Sequence, residues 1–109
     1  NMHEVPELIR QCVANCDECA EECNNCAEDC KEKPGMESCV RLCNDCADAC
    51  DQCADACESK FSNRMQLIQA CIMACEACAD ECEKHDNVSC KSCAGTCRSC
   101  AEECRRVAA

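Results

Sequence analysis

The segment from Cys12 to Cys30, CVANCDECAEECNNCAEDC, indicates how the whole chain is organised. Its cysteines are separated by steps that alternate between four and three residues. Such alternation places every cysteine on one face of an α-helix. The segment from Cys39 to Cys57, CVRLCNDCADACDQCADAC, repeats the same steps. Two near copies of one helix therefore follow each other, each with a face made of thiols.

The remaining cysteines form two more sets of the same kind, and nearly every inward a or d heptad position is a cysteine. By set, the 21 cysteines are Cys12, Cys16, Cys19, Cys23, Cys26 and Cys30; Cys39, Cys43, Cys46, Cys50, Cys53 and Cys57; Cys71, Cys75, Cys78 and Cys82; and Cys90, Cys93, Cys97, Cys100 and Cys104. Small residues such as Ala20 and Ala47 follow the d cysteines and allow helices to approach closely. Charged residues occupy the outer faces.

Breaks between the sets predict four helices and the fold class. The predicted helices span residues 7–31, 36–58, 63–84 and 88–106. The candidate breaks and caps are Pro34 with Gly35, Ser62 or Asn63, and Asp86 or Asn87. Because the connections are short, neighbouring helices are expected to run antiparallel. The sequence thus predicts an all-α, up-down-up-down antiparallel four-helix bundle with a cysteine-lined core, as a single domain over residues 1–109.

The composition excludes several functions and makes the thiols the dominant feature. Leu, Ile, Val and Phe together number only 12, too few for a conventional aliphatic core. A core cysteine is usually an inert small hydrophobe. Twenty-one of them, where Leu or Ile would stabilise the bundle better, indicate a chemical role. The net charge of −11 argues against binding to nucleic acid or anionic membrane. We expect a cytoplasmic protein, since neither a membrane span nor a signal-peptide pattern is present.

The spacing of the thiols favours metal binding over disulfides. Ten pairs have C-x-x-x-C spacing, and only Cys90 is left over. Residues four apart on a helix have Cβ atoms about 5–6 Å apart, whereas a disulfide needs about 3.8 Å. Each pair is suited to hold a soft ion between its two sulfurs. We therefore expect a non-enzymatic protein. A thiol redox protein is less favoured, because its reactive cysteine would need to lie at an exposed helix start.

The charge of the interior favours Cu(I) over zinc. Twenty-one thiolates and about twenty monovalent ions nearly cancel, whereas twenty thiolates around five Zn²⁺ ions retain a charge of about −10, which a dry interior penalises. Thiolate is also a soft ligand that selects Cu(I). The sequence predicts a store for about twenty Cu(I) ions per chain. A metallothionein-like zinc or cadmium buffer is the alternative.

The two ends of the predicted bundle differ. At one end, aliphatic residues take the inward positions and predict a hydrophobic plug: Val5, Ile9, Ile68 and Val107, with Leu8, Leu67 and Phe61 nearby. At the other end, Met36 and His85 continue the heptad beyond Cys39 and Cys82. A thioether and an imidazole suit a gate that admits copper. Met36 and His85 therefore join the cysteines as candidate metal ligands, and this end is expected to be open.

The chain resembles the bacterial copper storage proteins (Csp family), in particular their cytosolic branch. The resemblance covers nearly the whole chain and is strongest in CEACADECEKHD (Cys75–Asp86) and CKSCAGTCRSCAEECR (Cys90–Arg105). It implies a four-helix bundle, a homotetramer, a Cu(I)-filled interior and a reserve for copper enzymes. A copper chaperone or chelator is the expected exchange partner. Exported members carry a twin-arginine leader, which is absent here. The chain departs from the family in being richer in cysteine and poorer in histidine near His85.

Overall fold

The fold is a ring of four helices. The computed structural model describes residues 4–59 and 63–108. Its helices are α1 (Glu4–Cys30), α2 (Glu37–Ser59), α3 (Arg64–Cys82) and α4 (Val88–Ala108). α1 and α3 each pack against both α2 and α4. Short connections make sequential helices antiparallel, so the predicted all-α, up-down-up-down bundle is confirmed.

The helices begin and end within three residues of the predicted bounds. α1 begins at Glu4 and takes Pro6 into its first turn, where the missing amide hydrogen would have had no partner. α3 ends at Cys82, two residues before the predicted end. The amides of Lys84 and His85 donate to carbonyls three residues back, at 3.1 Å each, so the last turn tightens and the α-helix stops.

The turn between α1 and α2 uses the predicted Pro34–Gly35 break. The amide of Lys33 donates to the carbonyl of Cys30 at 3.0 Å and closes the end of α1. Gly35 has a φ of +80°, in the left-handed region that glycine adopts without steric cost. The carbonyl of Met36 then accepts the amide hydrogen of Val40 at 2.9 Å and begins α2.

One of the two asparagine caps forms. Asn87 Oδ1 accepts the amide hydrogen of Cys90 at 2.8 Å, which confirms a side-chain cap for α4. Asn63 stands at the N-cap of α3, but its side chain makes no capping bond, so that prediction was wrong for Asn63. Its φ of −95° and ψ of 20° lie outside the β-region from which a capping side chain reaches the first turn. The alternative cap, Ser62, lies outside the described residues.

Arg64 joins α3 to the end of α2. Its guanidinium donates to the carbonyl of Cys57 at 2.8 Å and to that of Ala56 at 3.5 Å. These are carbonyls of the last turn of α2, which have no partner within their own helix. The start of α3 is thereby held against the end of α2.

The core consists of sulfur and small side chains. All 21 cysteines are buried. Apart from cysteine and alanine, the buried core of the described residues contains only Ile68 and Met36. Such small side chains bury little apolar area, so the hydrophobic effect contributes less here than in an aliphatic bundle of this length.

The bundle has two ends with different contents. The His85 end comprises the ends of α1 and α3 and the starts of α2 and α4, while the termini end comprises the opposite ends of the same helices. At the termini end Ile68 is fully buried, and Ile9 and Val107 pack against the core while half-buried. Leu8 and Leu67 are half-buried. An aliphatic cluster therefore forms where the plug was predicted. The side chains of Val5 and Phe61 lie outside the described residues.

The outer surface is polar, and ion pairs join α3 to α4. Arg98 bonds to Asp80 at 2.6 Å and to Glu83 at 2.7 Å, and Arg105 bonds to Glu76 at 2.8 Å. Such exposed pairs stabilise a fold by only about 0–1 kcal/mol each. None of the helices in the described ranges is long and apolar enough to cross a membrane.

Candidate metal centre

The closest sulfur contacts join different helices. All 21 thiols are free. The shortest separations between sulfur atoms, at 3.6 Å, are Cys12–Cys104, Cys39–Cys90, Cys43–Cys78 and Cys46–Cys75. Pairs with C-x-x-x-C spacing also approach, as Cys71 and Cys75 do at 3.9 Å. The sulfurs therefore meet across the bundle axis as well as along each helix.

Groups of four thiols form a repeated unit of the interior. Five such groups, with sulfurs within 4.8 Å of one another, are Cys12/Cys16/Cys53/Cys104, Cys16/Cys71/Cys100/Cys104, Cys19/Cys46/Cys50/Cys75, Cys19/Cys23/Cys46/Cys97 and Cys23/Cys78/Cys93/Cys97. Each combines one C-x-x-x-C pair from a single helix with one thiol from each of two other helices. The pair predicted from sequence is thus half of a larger unit.

Neighbouring groups share sulfurs. Cys16 and Cys104 belong to both of the first two groups, and Cys19 and Cys46 belong to both of the next two. Further contacts link groups that share no member, as when Cys71 lies 3.7 Å from Cys50. The sulfurs therefore form a continuous array, here called the thiol column, along the axis of the bundle.

The spacing in the thiol column suits soft metal ions. The close sulfur–sulfur contacts in the groups, such as 3.7 Å for Cys19–Cys97 and 3.9 Å for Cys93–Cys97, lie near the ~3.8 Å edge of a tetrahedron with metal–sulfur bonds of about 2.3 Å. Thiolates are soft ligands that favour Cu(I) as well as zinc. The distances between sulfurs accommodate either Cu(I) or Zn²⁺, so the choice between the two ions depends on the net charge of the loaded interior.

Burial keeps thiols near the ends of the column protonated. It raises the pKa of Cys30 and of Cys90 to about 12. Burial also raises the pKa of Cys39 and of Cys57 above the ordinary value. A metal ion binds the thiolate, so each ion that binds here must displace a proton.

The two other candidate ligands, Met36 and His85, lie in different surroundings. Met36 is only 7% exposed and belongs to the same buried cluster as the thiols. His85 is half-buried at the rim, and its Nε2 lies 2.9 Å from Oε2 of Glu81. Because an ionised carboxylate only accepts, Nε2–H donates in this bond. The bond lowers the pKa of the Glu81 carboxyl.

The expectation that the His85 end is the open end of the bundle stays a prediction. The four thiols at this end, Cys30, Cys39, Cys82 and Cys90, have no exposed surface. Met36 fills the core beside them. The thiols at this end are therefore as buried as those along the rest of the thiol column.

Two features of the site were missed from sequence. The four-thiol groups depend on how the helices align along the axis, and matching helix turns by level would have indicated which thiols meet. The contact between Glu81 and His85 had a partial signal in the four-residue spacing, although His85 lies just beyond the end of α3.

A ring of four helices around a continuous thiol column defines a protein that binds several soft metal ions. The chain belongs to the copper storage protein (Csp) family, whose sequence profile matches residues 5–109. No curated protein sequence matches the chain.

Solved structures of copper storage proteins are similar to this chain over most of its length. A cytosolic copper storage protein from Streptomyces lividans, with five coppers, is 31% identical, with a TM-score of 0.93 and coverage of 97% of this chain and 96% of that one. Apo copper storage protein 3 from Bacillus subtilis is 37% identical, with a TM-score of 0.87 and coverage of 92% and 98%. A Cu(I)-bound copper storage protein, BsCsp3, is 35% identical, with a TM-score of 0.87 and coverage of 94% and 99%.

Proposed function

We propose that the 21 cysteines of this copper storage protein are the ligands, and that one chain, a single domain over residues 1–109, stores about twenty Cu(I) ions. The observation that carries the proposal is the continuity of the thiol column. Because neighbouring groups share sulfurs, a thiolate can bridge two ions, and the capacity then approaches one ion per cysteine. Met36 is proposed as a supplementary soft ligand at the His85 end, and His85 as a ligand only when its bond to Glu81 breaks.

Charge supports monovalent copper over zinc. The described core contains no buried basic side chain to balance thiolates, so the ions themselves must do so. About one Cu(I) per thiolate leaves the interior nearly neutral, which lowers the cost of burying the charges. The four-thiol groups also match tetrahedral zinc, so a zinc or cadmium buffer is the second candidate.

The protein acts as a store and not as an enzyme in this proposal. Every thiol is at most 2% exposed, so none is presented to a protein disulfide as a redox enzyme requires. We further propose a cytosolic location, by analogy with the Streptomyces lividans protein described as cytosolic. A homotetramer, and exchange with a copper chaperone or chelator, complete the proposal.

Competitive titration tests the capacity and the metal. Apo protein is titrated anaerobically with Cu(I) in the presence of a chromophoric chelator, and the ions bound per chain are counted. We expect about twenty ions, by the bridging argument, and no displacement of copper by excess zinc. Saturation at about five ions, or release of copper by zinc, would instead identify a tetrahedral zinc-type site.

A further inference from the structure

The outer face of α3 differs in composition from the outer faces of the other three helices. Between Arg64 and Glu76 the chain has eleven consecutive residues without a charged side chain, MQLIQACIMAC. Every other uncharged run in the chain is six residues or shorter. Eleven helical residues correspond to three turns, about 16 Å along the helix axis. The first half of α3 therefore has a long uncharged surface on an otherwise highly charged protein.

The exposed residues of this stretch form a surface that includes two methionines. Met73 is 71% exposed and Met65 is 43% exposed. Gln66, Gln69 and Ala70 are the other exposed residues of the stretch, and the five together are here called the α3 face. Single exposed apolar side chains are common. Two large ones on a surface without charges are typical of a contact with another protein.

The net charge of the chain limits where two copies can pack together. With a net charge of −11, two copies repel each other over most of their surface. Between α1 and α2, for example, burial and the carboxylates of Asp17, Asp55 and Asp48 raise the pKa of Asp51. A second copy placed there would add further negative charge. The α3 face is where two copies can come into contact without this repulsion.

The charges beyond the two ends of the α3 face make it complementary to itself. The only basic residue of α3 is Arg64 at its start, whereas Glu76, Asp80 and Glu81 make its second half acidic. Ala70 lies midway between Arg64 and Glu76, six residues from each. If two α3 helices run antiparallel and meet at Ala70, Arg64 of each copy lies level with Glu76 of the other. A parallel pair would instead bring like charges together.

We infer that a second copy of this chain docks on the α3 face, with the two α3 helices antiparallel and related by a two-fold axis at Ala70. Each copy contributes the same surface, so the methionines of both copies leave water together. The inference names a contact through which the proposed homotetramer assembles, and it rests on that part of the proposed function. A tetramer with dihedral symmetry uses more than one kind of two-fold contact, so loss of this contact leaves a dimer.

A charge placed on the α3 face tests the contact. Met73→Glu adds a carboxylate from each copy to the proposed contact. Val88→Glu is the matched control, because Val88 is also apolar and 82% exposed but lies at the start of α4. Sedimentation velocity measures the particle mass of each variant. For Met73→Glu we expect the dissociation constant to rise at least about a hundredfold and the particle mass to fall by half. Val88→Glu should change neither quantity.

Opposite charges at Ala70 test the antiparallel arrangement. Ala70→Glu alone and Ala70→Lys alone should each lower the particle mass, because like charges then meet across the two-fold axis. An equimolar mixture of the two variants should regain the mass of the unaltered protein, since opposite charges then meet. Circular dichroism at 222 nm shows whether each variant is folded. If Met73→Glu fails to fold, the mixture of the Ala70 variants decides the question.

The inference is overturned by any of four results. These are a monomeric unaltered protein, an unchanged mass for folded Met73→Glu, an equal loss of mass for Val88→Glu, and a mixture of Ala70 variants that does not regain the mass. Copper titration separates the contact from storage. Each folded variant should bind as many ions per chain as the unaltered protein, because the α3 face contains no cysteine. An unaltered protein that binds few ions would refute the storage proposal and not the contact.

Discussion

The core is filled by different side chains at the two ends of the bundle. At the His85 end, thiols continue to the last turn of α1 and α3, and Met36 closes the core beside them. At the termini end, Ile68 takes an inward position, with Ile9 and Val107 packed against the core. Aliphatic side chains stabilise a fold by leaving water, whereas thiols gain most of their stabilisation when a metal binds. The difference indicates that the termini end stabilises the apo protein and the thiol column stabilises the loaded one.

Removing copper should have the largest effect. An ion bound only by the folded state stabilises it by about 4 kcal/mol when its free concentration is a thousandfold above the dissociation constant, and several ions add further. We expect the loaded protein to unfold at a much higher denaturant concentration than the apo protein. Circular dichroism at 222 nm during anaerobic urea titration measures both midpoints. If the two midpoints coincide, copper binding in the thiol column does not stabilise the loaded protein, and the contrast drawn between the two ends is wrong.

Ile68→Ala should have the next largest effect, and on the apo protein. Truncating a buried isoleucine costs about 2–5 kcal/mol through lost burial and the cavity that remains. Urea unfolding of apo protein measures this loss, and copper titration should give an unchanged capacity. The matched variant is Cys82→Ala, equally buried at the other end of α3. It removes one sulfur, so its cost to the apo protein should be smaller while its copper capacity falls. A larger cost for Cys82→Ala would reverse the comparison.

Alkaline pH should destabilise the apo protein through the thiol column. The ordinary pKa of a cysteine thiol is 9.0, and burial raises those of Cys30 and Cys90 to about 12. The stability due to a raised pKa is fully present below pH 9 and is lost as the pH rises towards 12, because the unfolded chain ionises first. Apo stability measured between pH 8 and about 11 should therefore fall.

Two variants show which end causes the pH dependence. Cys30→Ala with Cys90→Ala should flatten the profile, since the two titrating thiols are gone. Ile68→Ala should lower the whole profile without changing its slope, since it removes no ionisable group. A profile that stays equally steep in the double cysteine variant would exclude these thiols as the cause.

The smallest effect concerns the helix caps. Asn87→Ala removes the bond that caps α4 at the His85 end and should cost about 1 kcal/mol. Asn63→Ala, at the start of α3 at the termini end, should change stability by less than about 0.5 kcal/mol, because that side chain makes no capping bond. Urea midpoints of the two apo variants test the pair, and equal losses would show that Asn63 caps α3 in solution.

Much of the fold was predictable because one periodicity runs through the chain. The alternation of four- and three-residue steps determines which face of each helix is buried, and Pro34 with Gly35 marks the first turn. The cap at Asn87 was also predictable, since asparagine is a preferred N-cap residue. Asn63 has the same side chain, but its backbone conformation differs. Residue type alone does not report φ and ψ, so the two asparagines were indistinguishable in the sequence.

The candidate site was predictable in composition but less so in geometry. Each cysteine could be placed on an inward face from its spacing alone. Which thiols meet across the axis depends on the axial alignment of the helices, a long-range property of the bundle. The burial of Met36 among the thiols depends on how the ends of the helices pack together.

The sharing of sulfurs has a consequence for competition between metals. The group Cys19/Cys23/Cys46/Cys97 contributes two of its sulfurs to each of two neighbouring groups. A divalent ion that took all four as terminal ligands would leave both neighbours with half of their donors. Adjacent tetrahedral sites that use only terminal sulfurs are therefore mutually exclusive, and one such ion blocks more of the column than it occupies. Monovalent ions that share bridging sulfurs can occupy neighbouring groups at the same time. The sharing of sulfurs therefore limits how many ions of each kind one chain can bind, whatever their affinity for a single group.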